Sequence, residues 1–184
     1  MQKIPLLLLI TATTLLSTSC AHHYQNIQSH AKPKTVAGNF EVKRVQCKNG
    51  LKLLILKDSS SPTFAYQTWF NVGSRNEVIG KTGLAHLFEH MMFKGTKNHK
   101  EGDFDSILEQ AGVEGENAFT STDHTVYIQE LPNQHLDMIV DLESDRMVNL
   151  IVNDQSFKTE REVVQNERRF RKENSPEGTL YQTM

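Results

Sequence analysis

Strand-like and helical segments follow one another here without regular alternation, and this order restricts the fold more than any other feature of the sequence. Two strand-like runs, residues 40–47 and 51–58, flank Lys48-Asn49-Gly50, which is a strong signal for a β-hairpin. Residues 64–73 predict a third strand, and residues 116–131 predict a strand, a turn and another strand. Because successive parallel strands need a crossover between them, we predict an α+β fold with a largely antiparallel sheet flanked by helices.

Helical patterns appear after the third predicted strand. In the longer segments, apolar residues recur at helical spacing. Pro132 suits the first turn of one helix, and Asp154 is placed to cap another. Helices are predicted over residues 84–93, 101–112, 132–150 and 153–174.

The first twenty residues have one lysine, then an apolar stretch, then small residues that end at Cys20. The segment is too short and too polar at its end to span a bilayer, so residues 1–20 are predicted to be an export signal. They resemble the signal of bacterial lipoproteins, although Ser17 stands where a leucine is usual, so a plain cleaved signal is the alternative. We expect the protein to be located on the periplasmic side of a bacterial cell envelope and to be attached to the membrane through lipidated Cys20. The alternative is a soluble periplasmic protein.

The segment after the signal is polar and lacks periodicity, so residues 21–38 are predicted to be a flexible linker. The folded domain is then expected over residues 39–184. Its last segment, residues 175–184, has a helix-start pattern that stops at Met184, which predicts a domain that is incomplete at its C-terminal end.

Composition excludes some classes of function. The chain of 184 residues is 38% hydrophobic and 23% charged, as expected for a globular protein with one core. A formal net charge of -2, with scattered Lys and Arg, gives no reason to expect a nucleic-acid partner. Cys47 is the only cysteine besides Cys20, so no intrachain disulfide is expected in the mature protein.

Two histidines and a glutamate lie within five residues of the otherwise apolar run "GLAHLFEHMMFKGT". On a helix, His86 and His90 share one face, and two imidazoles at that spacing can bind one zinc ion. Glu89 can reach the same space and act as a base toward a zinc-bound water. The alternative is a buried helix whose histidines are only hydrogen-bonded, because such short patterns also occur by chance.

A catalytic zinc ion needs a third protein ligand and an open position for water. On the last long predicted helix, Glu160, Val163, Val164 and Glu167 share a face. Two carboxylates beside valines are expensive to bury unless a cation stabilises them. Because seven helical residues rise roughly 10 Å, only one of the two is expected to bind the ion. The spacing leaves open which one binds, and also whether one is exposed and pairs with a nearby arginine.

"HLFEH" is the inverted zinc motif of the inverzincins. The wider run resembles the pitrilysin or insulinase family of zinc metallopeptidases, especially its small bacterial members and the mitochondrial processing peptidase. Three further segments support this resemblance over about residues 39–184: "NVGSRNE", "NAFTSTDHTVYIQEL" and "TEREVVQNE". It implies that Glu167, separated from His90 by 76 residues, is the third ligand and that Glu160 is the supporting acid.

The resemblance also implies a function. In the family, the strand corresponding to "NAFTS" lies at the sheet edge beside the metal and adds the substrate as a further strand. Asn117, Ala118 and Phe119 are therefore candidate substrate-binding residues, with an ordinary core position as the alternative for Phe119. The implied activity is that of a zinc endopeptidase, with one Zn²⁺ in its site, acting on peptides or unfolded protein segments.

Family members have two homologous halves, and this chain corresponds to the first portion of the first half. A second half or partner subunit is therefore expected to contribute to activity. The alternative is a catalytically inactive zinc-binding or interaction fragment.

Overall fold

A computed structural model describes residues 34–36, 40–174 and 176–183. They belong to two compact units, of which one ends at Ser60 and the other begins at Ser61. The predicted signal peptide, Cys20 and most of the predicted linker lie outside the described residues. The export signal, the lipidation of Cys20 and the flexible linker therefore stay predictions. Within the described part of the chain, no helix combines the length and the apolar character that crossing a membrane requires.

The first unit contains three antiparallel strands in the order β1-β2-β3. They are β1 Lys34–Val36, β2 Phe40–Gln46 and β3 Lys52–Leu56. The hairpin predicted between the second and third strands is confirmed. Its Gly50 has φ 92°, a left-handed conformation that glycine adopts without strain, and Asn49 Oδ1 accepts a hydrogen bond from Leu51 N at 3.1 Å.

The second unit contains another antiparallel sheet, in the order β4-β6-β5. Its strands are β4 Thr63–Phe70, β5 Glu114–Thr120 and β6 Thr125–Pro132. The middle strand, β6, has mostly buried side chains, as expected for a strand with a neighbour on each side. Within the described residues, β5 pairs only with β6 and is therefore an edge strand.

The structure describes five α-helices in the second unit, and two of them form its core with the sheet. The five helices are α1 Leu84–Met91, α2 Asp103–Gln110, α3 Leu136–Asn149, α4 Asp154–Arg168 and α5 Pro176–Thr183. The core joins α2, β6 and α3 through Phe104, Leu108, Ala111, Leu131, Ile139 and Leu142. The predicted α+β class, with antiparallel strands flanked by helices, is confirmed.

The two predicted helix starts have different outcomes. Pro132 ends β6 opposite Thr63 and directly precedes a 3-10 helix over Asn133–His135, which leads into α3 at Leu136. The cap of α4 is Asn153 rather than Asp154, because the Asn153 side chain accepts a hydrogen bond from Ser156 N at 2.9 Å.

A buried ion pair connects α3 to the sheet. Arg146 is 1% exposed and its Nη2 lies 2.5 Å from Oε1 of fully buried Glu143. Glu143 also accepts hydrogen bonds from Thr68 of β4 at 3.2 Å and from Gln129 of β6 at 3.1 Å. The guanidinium lies 4.5 Å from the ring centroid of Tyr127, which compensates part of its desolvation. Among the ion pairs of the described residues, Arg146 is the only cation paired with Glu143, so the core depends on this pair.

Arg146→Met is expected to lower the free energy of unfolding by about 3 kcal/mol, because it leaves Glu143 buried without its cation. The matched control is Arg75→Met, which breaks the exposed ion pair of Arg75 with Asp123 and should change the same quantity by less than about 0.5 kcal/mol. Urea denaturation followed by circular dichroism measures both. Equal effects of the two substitutions would contradict the role assigned to the buried pair.

Candidate metal centre

The start of α1 is fixed by the "NVGSRNE" segment that precedes it. Glu77 accepts hydrogen bonds from Gly83 N at 2.9 Å and from Ala85 N at 2.8 Å, which satisfies amide groups that a helix start leaves unpaired. The same segment packs closely on the turn between β5 and β6. A Cβ on Gly73 would lie 2.4 Å from Ser121 O, so this approach requires glycine. The segment thereby sets the position of α1 relative to the sheet.

The faces of α1 are divided between core and site. Leu87 and Met91 are buried, whereas His86 and His90 are half-buried on the side of the helix that meets α4. The two imidazole rings are edge to face, and their Nε2 atoms lie 3.3 Å apart. The Nε2 atoms of the two histidines thus point toward the same small volume.

Helix α4 brings a carboxylate to that volume. Glu167 Oε2 lies 3.3 Å from His90 Nε2 and 3.6 Å from His86 Nε2. A tetrahedral zinc ion with ligands at about 2.0–2.1 Å keeps its ligand atoms about 3.3–3.4 Å apart. The three donor atoms therefore have both the chemistry and the spacing that zinc requires, and they form a possible metal site.

Glu160 lies behind His90 rather than among the three donors. Its Oε2 is 3.3 Å from His90 Nδ1, the ring nitrogen that faces away from the donor set. Its Oε1 is 2.6 Å from the ammonium of Lys94. This is the place where a carboxylate orients a metal-binding histidine. The structure thus separates the two glutamates that helical spacing left equivalent.

The arginine pairing considered from the sequence is also present, but it occupies only one oxygen of Glu167. Arg171 Nη2 lies 2.7 Å from Glu167 Oε1, while Oε2 of the same carboxylate faces the histidines. Arg171 belongs to a π-helical turn over Arg169–Glu173 that directly follows α4. Such turns are frequent at functional sites.

Glu89 lies on α1 between the two histidines and is 8% exposed. Its Oε2 accepts a hydrogen bond of 2.5 Å from the hydroxyl of Thr120 at the end of β5. Glu89 and His90 line a cleft of about 480 Å³. Sequence reasoning did not single out Thr120, although alternation along β5 places it on the same face as Ala118.

The candidate substrate-binding residues lie on the edge strand. Asn117 and Ala118 line the cleft with Glu89, and Asn117 Oδ1 accepts a hydrogen bond from Ala118 N at 2.9 Å. Phe119 does not line the cleft, and its ring lies 6.2 Å from that of His124. Substrate binding by these three residues stays a prediction.

Two further carboxylates give the cleft an acidic wall. Burial raises the pKa of Glu116, and repulsion from Asp105 raises it further. Burial likewise raises the pKa of Asp105, to which the neighbouring Glu109 adds. Sequence reasoning did not identify these residues as part of the site.

An α+β unit that brings two histidines of one helix and a glutamate of a later helix within 3.6 Å of one another, next to a cleft that Glu89 and His90 line, has the architecture of a metallopeptidase domain. The sequence matches the family described as Insulinase (Peptidase family M16) over residues 52–182. The chain belongs to this family, which confirms the resemblance seen in its motifs.

Relatives with known names agree. The chain is 41% identical over 138 residues to "Zinc protease PqqE" of Helicobacter pylori, an alignment that covers 74% of this chain and 31% of that protein. It is 34% identical over 127 residues to "Mitochondrial-processing peptidase subunit beta" of Bos taurus, covering 68% and 26% of the two proteins.

A solved structure is similar as well. The crystal structure of a protease from Helicobacter pylori matches with a TM-score of 0.74 at 39% identity, covering 82% of this chain and 35% of that one. The chain therefore spans between about a quarter and about a third of the length of these relatives.

Proposed function

We propose that the chain is the metal-binding part of a zinc-dependent endopeptidase that hydrolyses peptides or unfolded protein segments. One observation carries the proposal: Nε2 of His86, Nε2 of His90 and Oε2 of Glu167 lie 3.3–3.6 Å from one another, although they come from distant parts of the sequence. The family match and a relative named as a zinc protease support it.

His86, His90 and Glu167 would hold the ion, and Glu160 would orient His90 through its far nitrogen. When bound, zinc supplies positive charge that polarises a carbonyl group and lowers the pKa of a water molecule to roughly 7. Glu89 then takes a proton from the attacking water and returns it to the leaving amine. Because the Thr120 hydroxyl binds Oε2 of Glu89, we assign this proton transfer to Oε1.

Substrate binding is proposed at the edge of β5. The outer side of an edge strand offers backbone groups that an extended peptide can pair with, regardless of its side chains. Asn117 and Ala118 lie both on this strand and in the cleft that contains Glu89. A peptide that extends the sheet here would pass beside the proposed base.

The test combines metal content with cleavage. The purified chain is expected to hold about one equivalent of zinc and to cleave an unstructured fluorogenic peptide. Cleavage should stop on addition of 1,10-phenanthroline and return on addition of zinc. Elemental analysis and a fluorescence assay measure the two quantities. A chain that holds no zinc, or one whose cleavage is insensitive to the chelator, would contradict the proposal.

A second candidate function is favoured because the chain matches only about a quarter to a third of the length of each relative. In this alternative the chain binds zinc but needs a second half or partner subunit for catalysis, because groups that stabilise the transition state lie outside the matched region. The same assay separates the two. Zinc binding without cleavage, followed by cleavage in a version extended to the length of the relatives, supports the second candidate.

A further inference from the structure

We infer that Lys94 is a positioning residue of the proposed metal centre, because its ammonium group holds Glu160 in the orientation that fixes the ring of His90. This inference rests on the proposed zinc site. It adds a residue that does not touch the three donor atoms but acts on one of them through Glu160.

A continuous series of contacts connects Lys94 to the donor set. Lys94 Nζ lies 2.6 Å from Glu160 Oε1, and Glu160 Oε2 lies 3.3 Å from His90 Nδ1. On its other side, His90 Nε2 lies 3.3 Å from Glu167 Oε2. A histidine that donates from Nδ1 to a carboxylate presents the lone pair of Nε2, and a metal ion binds that lone pair.

The burial of Glu160 makes this cation necessary. The Glu160 side chain is 8% exposed and that of Lys94 is 17% exposed. A carboxylate at this depth is expensive unless it is paired. Without the ammonium group, rotation of the Glu160 carboxylate toward water would lower its free energy, and its hydrogen bond to His90 would be lost.

The backbone beyond α1 places Lys94 for this contact. The chain turns at Gly95, which has φ 110°, and a Cβ there would lie 2.8 Å from Glu101 N. Glycine therefore allows the following loop to approach. That loop supplies Glu101, whose Oε1 lies 2.7 Å from Lys94 Nζ. Lys94 is thus held by one carboxylate on the loop and by Glu160 on α4.

Arg171 makes a comparable contact with Glu167 but differs in exposure. The Arg171 side chain is 69% exposed, so salt screens its ion pair strongly. The pair of Lys94 and Glu160 is largely removed from water and is screened less. An effect of Lys94 on the metal centre is therefore expected to persist at high ionic strength, whereas an effect of Arg171 should fade.

The experiment measures the Co²⁺ affinity of the full 184-residue chain from the visible absorption of the bound ion. Lys94→Met should weaken Co²⁺ binding about tenfold at both low and high salt. A tenfold loss is the lower end of the range of metal affinity lost when a group that orients a metal ligand is replaced. Lys94→Arg keeps the cation and should recover most of the affinity. Lys97→Met, in the exposed loop that follows, is the matched control and should bind as the wild type does.

A double-mutant cycle separates positioning from a general effect on folding. If Lys94 acts through Glu160, the double variant Lys94→Met/Glu160→Gln should bind Co²⁺ no more weakly than Glu160→Gln alone. A merely structural contribution would add to that of Glu160→Gln. A merely structural contribution would also lower the unfolding temperature of the apo-protein in Lys94→Met and in Lys94→Arg alike.

The outcomes distinguish this inference from the function on which it rests. If the wild-type chain binds no Co²⁺, the proposed metal centre is wrong and the role of Lys94 fails with it. If the wild type binds Co²⁺ and Lys94→Met binds it equally well, or if the double variant is additive, only the role of Lys94 is overturned.

Discussion

Glu89→Gln is expected to retain zinc and to cleave peptide about 10³-fold more slowly than the wild-type chain. The amide has nearly the shape of the carboxylate and can still accept the hydrogen bond that the Thr120 hydroxyl donates. It cannot accept a proton from water. The three proposed ligands are unchanged, so metal affinity should stay close to that of the wild type. Peptide turnover and bound zinc are measured on the same preparation.

The matched control is Glu162→Gln, which removes the same charge from an exposed position on α4 and should leave both quantities unchanged. Zinc-loaded Glu89→Gln that cleaves at the wild-type rate would falsify the assignment of the base. Loss of zinc from this variant would instead mean that Glu89 supports the metal centre. Cleavage and metal content therefore have to be compared in each variant.

The part of the site that lies within one helical turn was accessible from the sequence. Residues four apart on a helix share a face, so the spacing of His86 and His90 already predicted two convergent imidazoles. The structure adds their half-buried position and the 3.3 Å between their Nε2 atoms. Local geometry thus determined this half of the site, provided that the segment formed a helix.

The contribution of α4 depended on tertiary packing and could not be derived from spacing alone. Helical periodicity placed Glu160 and Glu167 on one face without distinguishing them. The crossing of α4 over α1 puts Glu160 beside Nδ1 of His90 and Glu167 beside its Nε2. The family resemblance predicted the different roles of Glu160 and Glu167, because it rests on a whole fold. The periodicity of one helix contains no information about how that helix packs on another.

Other features of the site depend on contacts between loops and strands. The bond between Thr120 and Glu89 requires the register of β5, and the place of Lys94 requires the left-handed turn at Gly95. Pro132 shows the same limit, because it both ends β6 and directly precedes the 3-10 helix before α3. Only the pairing of β6 with β4, a long-range interaction, shows that the strand extends this far.

His86→Ala is expected to lower zinc affinity by about 10³-fold and to abolish cleavage, which distinguishes it from Glu89→Gln. A zinc ion that loses one of three protein ligands keeps only the donors of His90 and Glu167, and roughly a third of its binding free energy is removed. The His86 side chain is 33% exposed, so the fold should be retained. Competition against a chromophoric chelator measures the affinity, and circular dichroism checks the fold.

His135→Ala is the matched control, because His135 lies in the 3-10 helix before α3 and outside the donor set. It should bind zinc and cleave as the wild type does. If His86→Ala were folded and bound zinc as tightly as this control, the 3.3 Å approach of the two imidazole nitrogens would be a hydrogen bond between half-buried histidines, and the proposed metal centre would have to be abandoned. A loss of zinc in His86→Ala but not in Glu89→Gln would separate ligand from base within a single helical turn.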